Sequence, residues 1–252
     1  MKLSGNTVLI TGGTTGIGLA FATKLAELGN DVIVTGRDQA KLDAVAKENP
    51  KIKTIRSDAG DLKAVTELAR EVKDKYPKLN VLFNNAGVMV YRDLAVAEDL
   101  AALTSEIDIN LAGPIRLISA LIETLVANKG TIINVSSGLA FAPLQAAPIY
   151  CATKAAMHSY TITLRQQLAD RGVEVIELMP PVVQTSLAAV PEGVKAITTD
   201  VLVDATLKAI EKGKVEIRPG QANQLRFMSR WAPNFINAQL AKGSKNLIPG
   251  RQ

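Results

Sequence analysis

The stretch TVLITGGTTGIG, residues 7–18, decides how the rest of the chain is read. A β-branched run from Thr7 to Thr11 breaks at Gly12 and Gly13, and a helical pattern opens at Gly16-Ile17-Gly18. Glycine tolerates positive φ and lets the backbone approach a ligand, while the first N–H groups of a helix have no partner within it. Strand, glycine turn and helix in that order form a cradle for a pyrophosphate. The spacing is TGxxxGIG, with three residues between Gly12 and Gly16 where the GxGxxG fingerprint has one. Gly12, Thr14, Thr15, Gly16, Ile17 and Gly18 are the candidate cradle residues.

On either side of this turn, short apolar runs alternate with longer stretches of helical period. Thr7 to Thr11, Asp31 to Thr35, Ile52 to Arg56, Val81 to Asn84, Thr131 to Ser136, Val173 to Leu178 and Val215 to Ile217 read as strands. Between the first two, Leu19, Ala22, Leu25 and Ala26 mark one helical face and Gly29 its stop. The alternation predicts an α/β, Rossmann-type doubly wound parallel sheet of about seven strands with helices on both faces. No repeat or low-complexity linker divides residues 1–252, so a single domain is expected. Residues 219–252 read as a C-terminal helical extension in which Leu225, Met228, Phe235, Ile236 and Leu240 alternate with arginines. A helix pair docked on the core or on another subunit is favoured there over a membrane-surface helix.

Composition narrows the function classes. Hydrophobic residues are 47 % and charged residues 21 %, close to an ordinary globular domain and far from disordered or collagenous chains. A net charge of +5 suits an anionic ligand, but the basic residues are scattered among acids and aromatics are only 4 %, so nucleic acid is not an expected partner. The start of the chain has neither signal-peptide nor anchor pattern, and no uninterrupted apolar run of membrane-spanning length occurs, so no stable membrane insertion is expected. The single cysteine, Cys151, fits a reducing, cytoplasmic setting.

Four residues apart on a predicted helix, Tyr150 and Lys154 share one face. A free phenol titrates near 10, and a neighbouring ammonium lowers that value towards the range useful for proton transfer. Ser137 stands at the end of the fifth predicted strand, the sheet edge where open α/β folds bind ligands. Ser136, its neighbour, points to the other side of the strand. Cys151 and His158 are too few for a metal site, so no metal is expected, and both read as packing residues.

With the glycine turn, the Asn84-Asn85-Ala86-Gly87 run, Asn110 in IDINLAG, Ser137 in NVSSG and the YxxxK of Tyr150 and Lys154, the chain resembles the short-chain dehydrogenases/reductases over nearly its whole length. The phrases YCATKAA and MPPVV resemble, more narrowly, the DltE-like oxidoreductases. The resemblance implies an NAD(P)-dependent alcohol dehydrogenase or carbonyl reductase. In it Ser137 holds the substrate oxygen, Tyr150 transfers the proton, Lys154 holds the nicotinamide ribose and tunes Tyr150, and Asn110 holds a water linked to Lys154. It further implies that Asp58, Ala59, Asn85, Ala86, Gly87, Tyr150, Lys154, Pro180, Val183 and Thr185 bind the cofactor. Pro181 departs from the family's glycine and removes an N–H from that loop. A homodimer or homotetramer pairing the helices of Asn110 and Tyr150 is also implied.

Arg37 at the end of the second strand, with no acid at Gly36, favours NADP(H) over NAD(H). Alternatively Arg37 stacks beside adenine, and Asp38 would oppose a phosphate if it turned inward. The substrate lining implied is Leu139, Phe141, Leu144, Gln145 and Leu187, with Met89 and Tyr91 opposite and residues 186–197 as a covering loop. That apolar lining points to a small-molecule substrate: a neutral, fairly hydrophobic ketone, aldehyde or secondary alcohol. Carrier-bound acyl substrates and a nucleotide-binding sensor without turnover are the alternatives.

Overall fold

The computed structural model describes residues 1–187, 190 and 195–250. Seven strands, β1 (Thr7–Ile10), β2 (Asp31–Gly36), β3 (Ile52–Arg56), β4 (Val81–Asn84), β5 (Thr131–Val135), β6 (Glu174–Leu178) and β7 (Glu216–Ile217), form one parallel sheet in the order β3-β2-β1-β4-β5-β6-β7. The sheet therefore reverses direction of growth between β1 and β4, and ligands in such sheets bind in the crevice at that point.

Alternate residues of each strand feed two cores, one on each face. Val8, Ile10, Val32 and Val34 pack with Phe21 and Leu25 of α1 (Gly16–Glu27) and Leu202 and Ile210 of α7 (Thr199–Glu211). Leu9, Ile33, Leu82 and Ile132 face the other way, against Val65 and Leu68 of α3 (Leu62–Lys75), Leu117 and Leu121 of α5 (Gly113–Ala127) and Leu164 of α6 (Pro148–Leu168). Burial on both faces explains why these strands read as continuous apolar runs. The order of β1 and α1 follows the opening glycine turn, and Gly29 lies just past α1 at φ +83°.

Short acidic caps start several helices. Asp38 caps α2 (Gln39–Glu48) by accepting from the Lys41 N–H at 3.2 Å, and Asp99 caps α4 (Leu100–Ile107) through the Ala102 N–H at 2.8 Å. Between α4 and α5 the helix widens into a π-turn, Asp108–Ala112, which no local pattern announces. The stretch Leu100–Ala127 is long and apolar enough to cross a bilayer by length and composition. In the fold it carries core residues Leu117, Ile118, Leu121 and Leu125 and the buried polar Glu106 and Asn110. After β7 the chain ends in α8 (Gln221–Trp231) and α9 (Pro233–Ser244), the expected helix pair.

Candidate active site

The glycine turn after β1 is built by close backbone approach. Gly12 and Gly16 adopt φ +65° and +56°, and a Cβ on Gly12 would stand 2.9 Å from the Ala86 Cα. A Cβ on Gly18 would meet the Gly12 carbonyl and lie 2.5 Å from Asn85 Nδ2. Asn85 Nδ2 donates to the carbonyls of Thr11 and Gly12 at 3.0 Å each, and Thr11 Oγ1 accepts from the N–H groups of Asn85 and Ala86 at 3.1 Å. The Asn85 side chain thus braces the turn. Thr11, ending the predicted first strand, is the fastener that the sequence did not single out. Thr15 stands at the N-cap of α1 without a side-chain cap bond, which leaves the first helical N–H groups to an anion. Ile17 packs against the first core, so its main chain is what the turn presents. Gly87 closes this wall: a Cβ there would lie 3.3 Å from Asn110 Oδ1 and 3.6 Å from Lys154 Nζ.

Beyond β2 and β3 lies an open cleft of about 360 Å³ lined by Arg37, Arg56, Ser57, Asp58, Asp61 and Ala64. Asp38 does not face it as a free acid, because its carboxylate is engaged as the α2 cap. At Gly36 a Cβ would stand 2.8 Å from Thr14 Cγ2, so a larger residue there would displace Thr14. Arg56 Nε donates to the Arg37 carbonyl at 3.2 Å, placing a second guanidinium beside Arg37. Asp58 accepts from the Gly60 N–H at 2.9 Å, and Ala59 lies against Gly113 at the start of α5.

At the carboxyl end of β5 four expected residues converge, all buried: Asn110, Ser137, Tyr150 and Lys154. Lys154 Nζ donates to the Val135 carbonyl at 2.8 Å and lies 5.5 Å from the centroid of the Tyr150 ring. Burial pushes the Tyr150 phenol up to about 12, partly opposed by a hydrogen bond from the Ser137 side chain. Burial likewise lowers the Lys154 ammonium to about 8. Lys154 is not among the groups that shift Tyr150, so the depression expected from it is absent in this arrangement. The ammonium faces a carbonyl and the ring, and desolvation dominates both groups.

Asn110 sits within the π-turn. Its Oδ1 accepts from the Val88 N–H at 2.8 Å, and its Nδ2 donates to the Val88 carbonyl at 2.8 Å and to Thr153 Oγ1 at 3.2 Å. Its side chain fastens the segment after β4 to α6.

The expected substrate lining divides. Met89, Tyr91, Leu139 and Leu144 pack around Tyr150, Cys151 and Ala147. Phe141 packs elsewhere, edge-on to His158 at 4.8 Å between centroids and with the Arg226 guanidinium 5.0 Å from its own. Gln145 and Leu187 are exposed. Of the expected covering loop 186–197, residues 188, 189 and 191–194 lie outside the described residues. The loop before it is ordered by a parallel bridge between Val183 and Ile197, which uses the Val182 carbonyl and the Gln184 N–H. That pattern turns the N–H and carbonyl of Val183 away from Ile197. Thr185 Cγ2 lies 3.3 Å from where a Cβ on Gly16 would stand, so this segment reaches the glycine turn. Pro181 is accommodated here, and the preceding Pro180 carbonyl accepts from the Gly138 N–H at 3.1 Å.

Two buried polar networks behind the site were not read from the sequence. Glu177, fully buried on β6, accepts from Ser136 Oγ at 2.5 Å and from His158 Nδ1 at 2.9 Å. The Ser136 hydroxyl is therefore engaged by Glu177 beside α6. Arg92, also buried, pairs with Glu106 at 3.3 Å and with Glu98, while Val90 N–H donates to Glu106. A glutamate inside the apolar run VEVIEL was the one signal available, since a buried carboxylate demands partners. Among the described residues, no group of three or more His, Cys, Asp or Glu could hold a metal ion.

Comparison with known proteins agrees with this architecture. The short chain dehydrogenase family model matches residues 6–192, and the chain belongs to that family. Within it the chain falls in the DltE-like group of oxidoreductases. It is 41 % identical over 237 residues to the uncharacterized oxidoreductase DltE of Bacillus subtilis, covering 91 % of this chain and 94 % of that protein. A short chain dehydrogenase from Burkholderia cenocepacia, solved in complex with NADP, superposes with a TM-score of 0.84 at 27 % identity, covering 95 % of this chain and 99 % of that one. One from Sphingobium yanoikuyae, solved with NADPH, gives 0.80 at 25 % identity over 93 % of each chain.

Proposed function

We propose that this protein is an NADP(H)-dependent oxidoreductase that reduces a neutral, fairly hydrophobic ketone or aldehyde, and in reverse oxidises a secondary alcohol. The observation that carries it is the convergence of Ser137, Tyr150 and Lys154 at the same sheet edge as the glycine turn. The positive-φ glycines and the uncapped α1 terminus fit a dinucleotide pyrophosphate, and two relatives of this fold were solved with NADP or NADPH. Arg37 and Arg56 flanking an open cleft, with Asp38 drawn into its helix cap, support the 2′-phosphate of NADP.

When bound, the reduced nicotinamide supplies a hydride to the carbonyl carbon. The Ser137 and Tyr150 hydroxyls hold the carbonyl oxygen, and Tyr150 gives its proton to that oxygen as negative charge develops. A phenol held at about 12 is fully protonated in the neutral range, which suits a proton donor. Lys154, its ammonium 5.5 Å from the Tyr150 ring centroid, holds the nicotinamide ribose, while Asn110 positions the segment after β4. Met89, Tyr91, Leu139 and Leu144 form the apolar wall that selects a neutral substrate. Exposed Leu100 and Ile107 on α4 support a homo-oligomer, and the buried, unpaired Cys151 suits the cytoplasm.

The test is a panel of ketones, aldehydes and alcohols mixed with purified protein and NADPH or NADH, read by the absorbance of the reduced cofactor. Turnover of hydrophobic carbonyls with NADPH supports the proposal. A cofactor that binds without turnover across the panel would favour the sensor alternative.

A further inference from the structure

The net charge of the protein is confined to one end. All 24 acidic residues and 23 of the 29 lysines and arginines precede Ile217, so the first 216 residues are nearly neutral. Beyond Glu216 come Arg218, Arg226, Arg230, Lys242, Lys245 and Arg251 without a single acid. In the fold, Arg218 pairs with Glu216, and Arg226 is held over Phe141. Arg230, Lys242 and Lys245 are exposed, and among the described residues no carboxylate pairs with them.

The same two helices expose their largest apolar side chains. Phe227, Trp231 and Phe235 are 61 %, 72 % and 57 % exposed, and the first two rings lie 6.2 Å apart. Phe227 and Trp231 are one turn apart on α8, with Arg230 beside them; Phe235 and Lys242, seven residues apart, share a face of α9. α8 ends at Trp231 and Pro233 opens α9, so the aromatic residues flank the joint. Meanwhile another side of α8 packs on the domain: Ala222 is buried, and Leu225 Cδ1 lies 3.1 Å from where a Cβ on Gly138 would stand.

We infer that the α8–α9 face binds the surface of an anionic lipid bilayer, with Phe227, Trp231 and Phe235 in the headgroup layer and the unpaired cations on the lipid phosphates. Aromatic rings beside lysine and arginine match the boundary between acyl chains and headgroups. A second copy of the chain is a poorer occupant, because a two-fold pairing of this face sets unpaired cations against each other. Docking this way places the segment after Ser137, which α8 covers, next to the bilayer where hydrophobic carbonyl compounds partition. The binding itself does not depend on the proposed reaction.

Trp231 is the only tryptophan, so emission of the intact protein reports this face alone. Vesicles of phosphatidylcholine with about one third phosphatidylglycerol should shift that emission to the blue and pellet the protein. Pure phosphatidylcholine should do much less, and added salt should weaken the effect. Arg230→Gln and Lys242→Gln should each weaken binding about fivefold, and Phe227→Ser with Phe235→Ser should abolish the pelleting. These positions are exposed, so unchanged circular dichroism and thermal unfolding will show that the variants remain folded. Absence of both shift and pelleting would overturn the inference, as would vesicle binding indifferent to all four substitutions. So would an oligomer, formed without lipid, that the two serine substitutions dissolve. Tighter binding of this face to polyuridylate or to an acidic acyl carrier protein than to vesicles would also replace lipid as the occupant.

Discussion

Replacing Lys154 by methionine should stabilise the protein at neutral pH while removing the charge the chemistry needs. Lys154 is 4 % exposed, and burial holds its ammonium at about 8 against 10.5 for a free lysine. For a base whose folded-state pKa lies below its unfolded value, the penalty is fully present below about pH 8. It is relieved as pH rises towards 10.5, because the unfolded chain still binds the proton that the folded one has released. That difference corresponds to about 3 kcal/mol at pH 7. Lys154→Met removes the penalty but leaves the Val135 carbonyl without its donor, which returns about 1–2 kcal/mol at every pH. The pH dependence is therefore the cleaner signal. Between pH 7 and 9.5 the wild type should gain about 2 kcal/mol relative to Lys154→Met, measured by urea denaturation at each pH. A gap that stays constant across that interval would show that the ammonium is not buried at a cost.

Three further outcomes follow from the geometry. Arg37→Ala and Arg56→Ala should each weaken NADPH binding about tenfold and leave NADH nearly unchanged, as measured by fluorescence titration; equal losses would refute the 2′-phosphate assignment. Gly18→Ala forces a methyl group against the Gly12 carbonyl and Asn85, so it should cost about 1–3 kcal/mol and abolish the thermal stabilisation given by NADPH. His158→Ala strands the carboxylate of Glu177, which is 0 % exposed, and should destabilise by about 3 kcal/mol. Adding Glu177→Gln to it should recover part of that loss in chemical denaturation, and no recovery would mean that Glu177 is not what His158 supports.

The fold was legible where a local pattern maps directly onto structure. Strand ends moved by one residue: Thr11, Ser136, Val173 and Val215 fall just outside β1, β5, β6 and β7, while Gly36 extends β2. Thr11 and Ser136 are informative cases: each still donates its N–H to the neighbouring strand, while its hydroxyl enters a side network. The glycine turn, Ser137, Tyr150 and Lys154 were all read from spacing, and the fold brings them to one edge. Side-chain direction was not legible. Nothing in the sequence says that Phe141 turns to His158, that Asn110 spends its amide on Val88, or that a π-turn intervenes between α4 and α5. The electrostatics were read with one effect missing: proximity of Lys154 was weighed, but desolvation of both groups was not, and burial depends on the whole packed domain.

The proton-donor role rests on Tyr150, and Tyr150→Phe removes one oxygen from a buried ring while leaving the ring's packing in place. NADPH titration and steady-state turnover of the best carbonyl substrate, run on both proteins, separate binding from chemistry. Cofactor affinity within about twofold of wild type, with kcat reduced by a factor of at least about 100, is the predicted result. Turnover near the wild-type rate in Tyr150→Phe would contradict it and move the proton donor to another group.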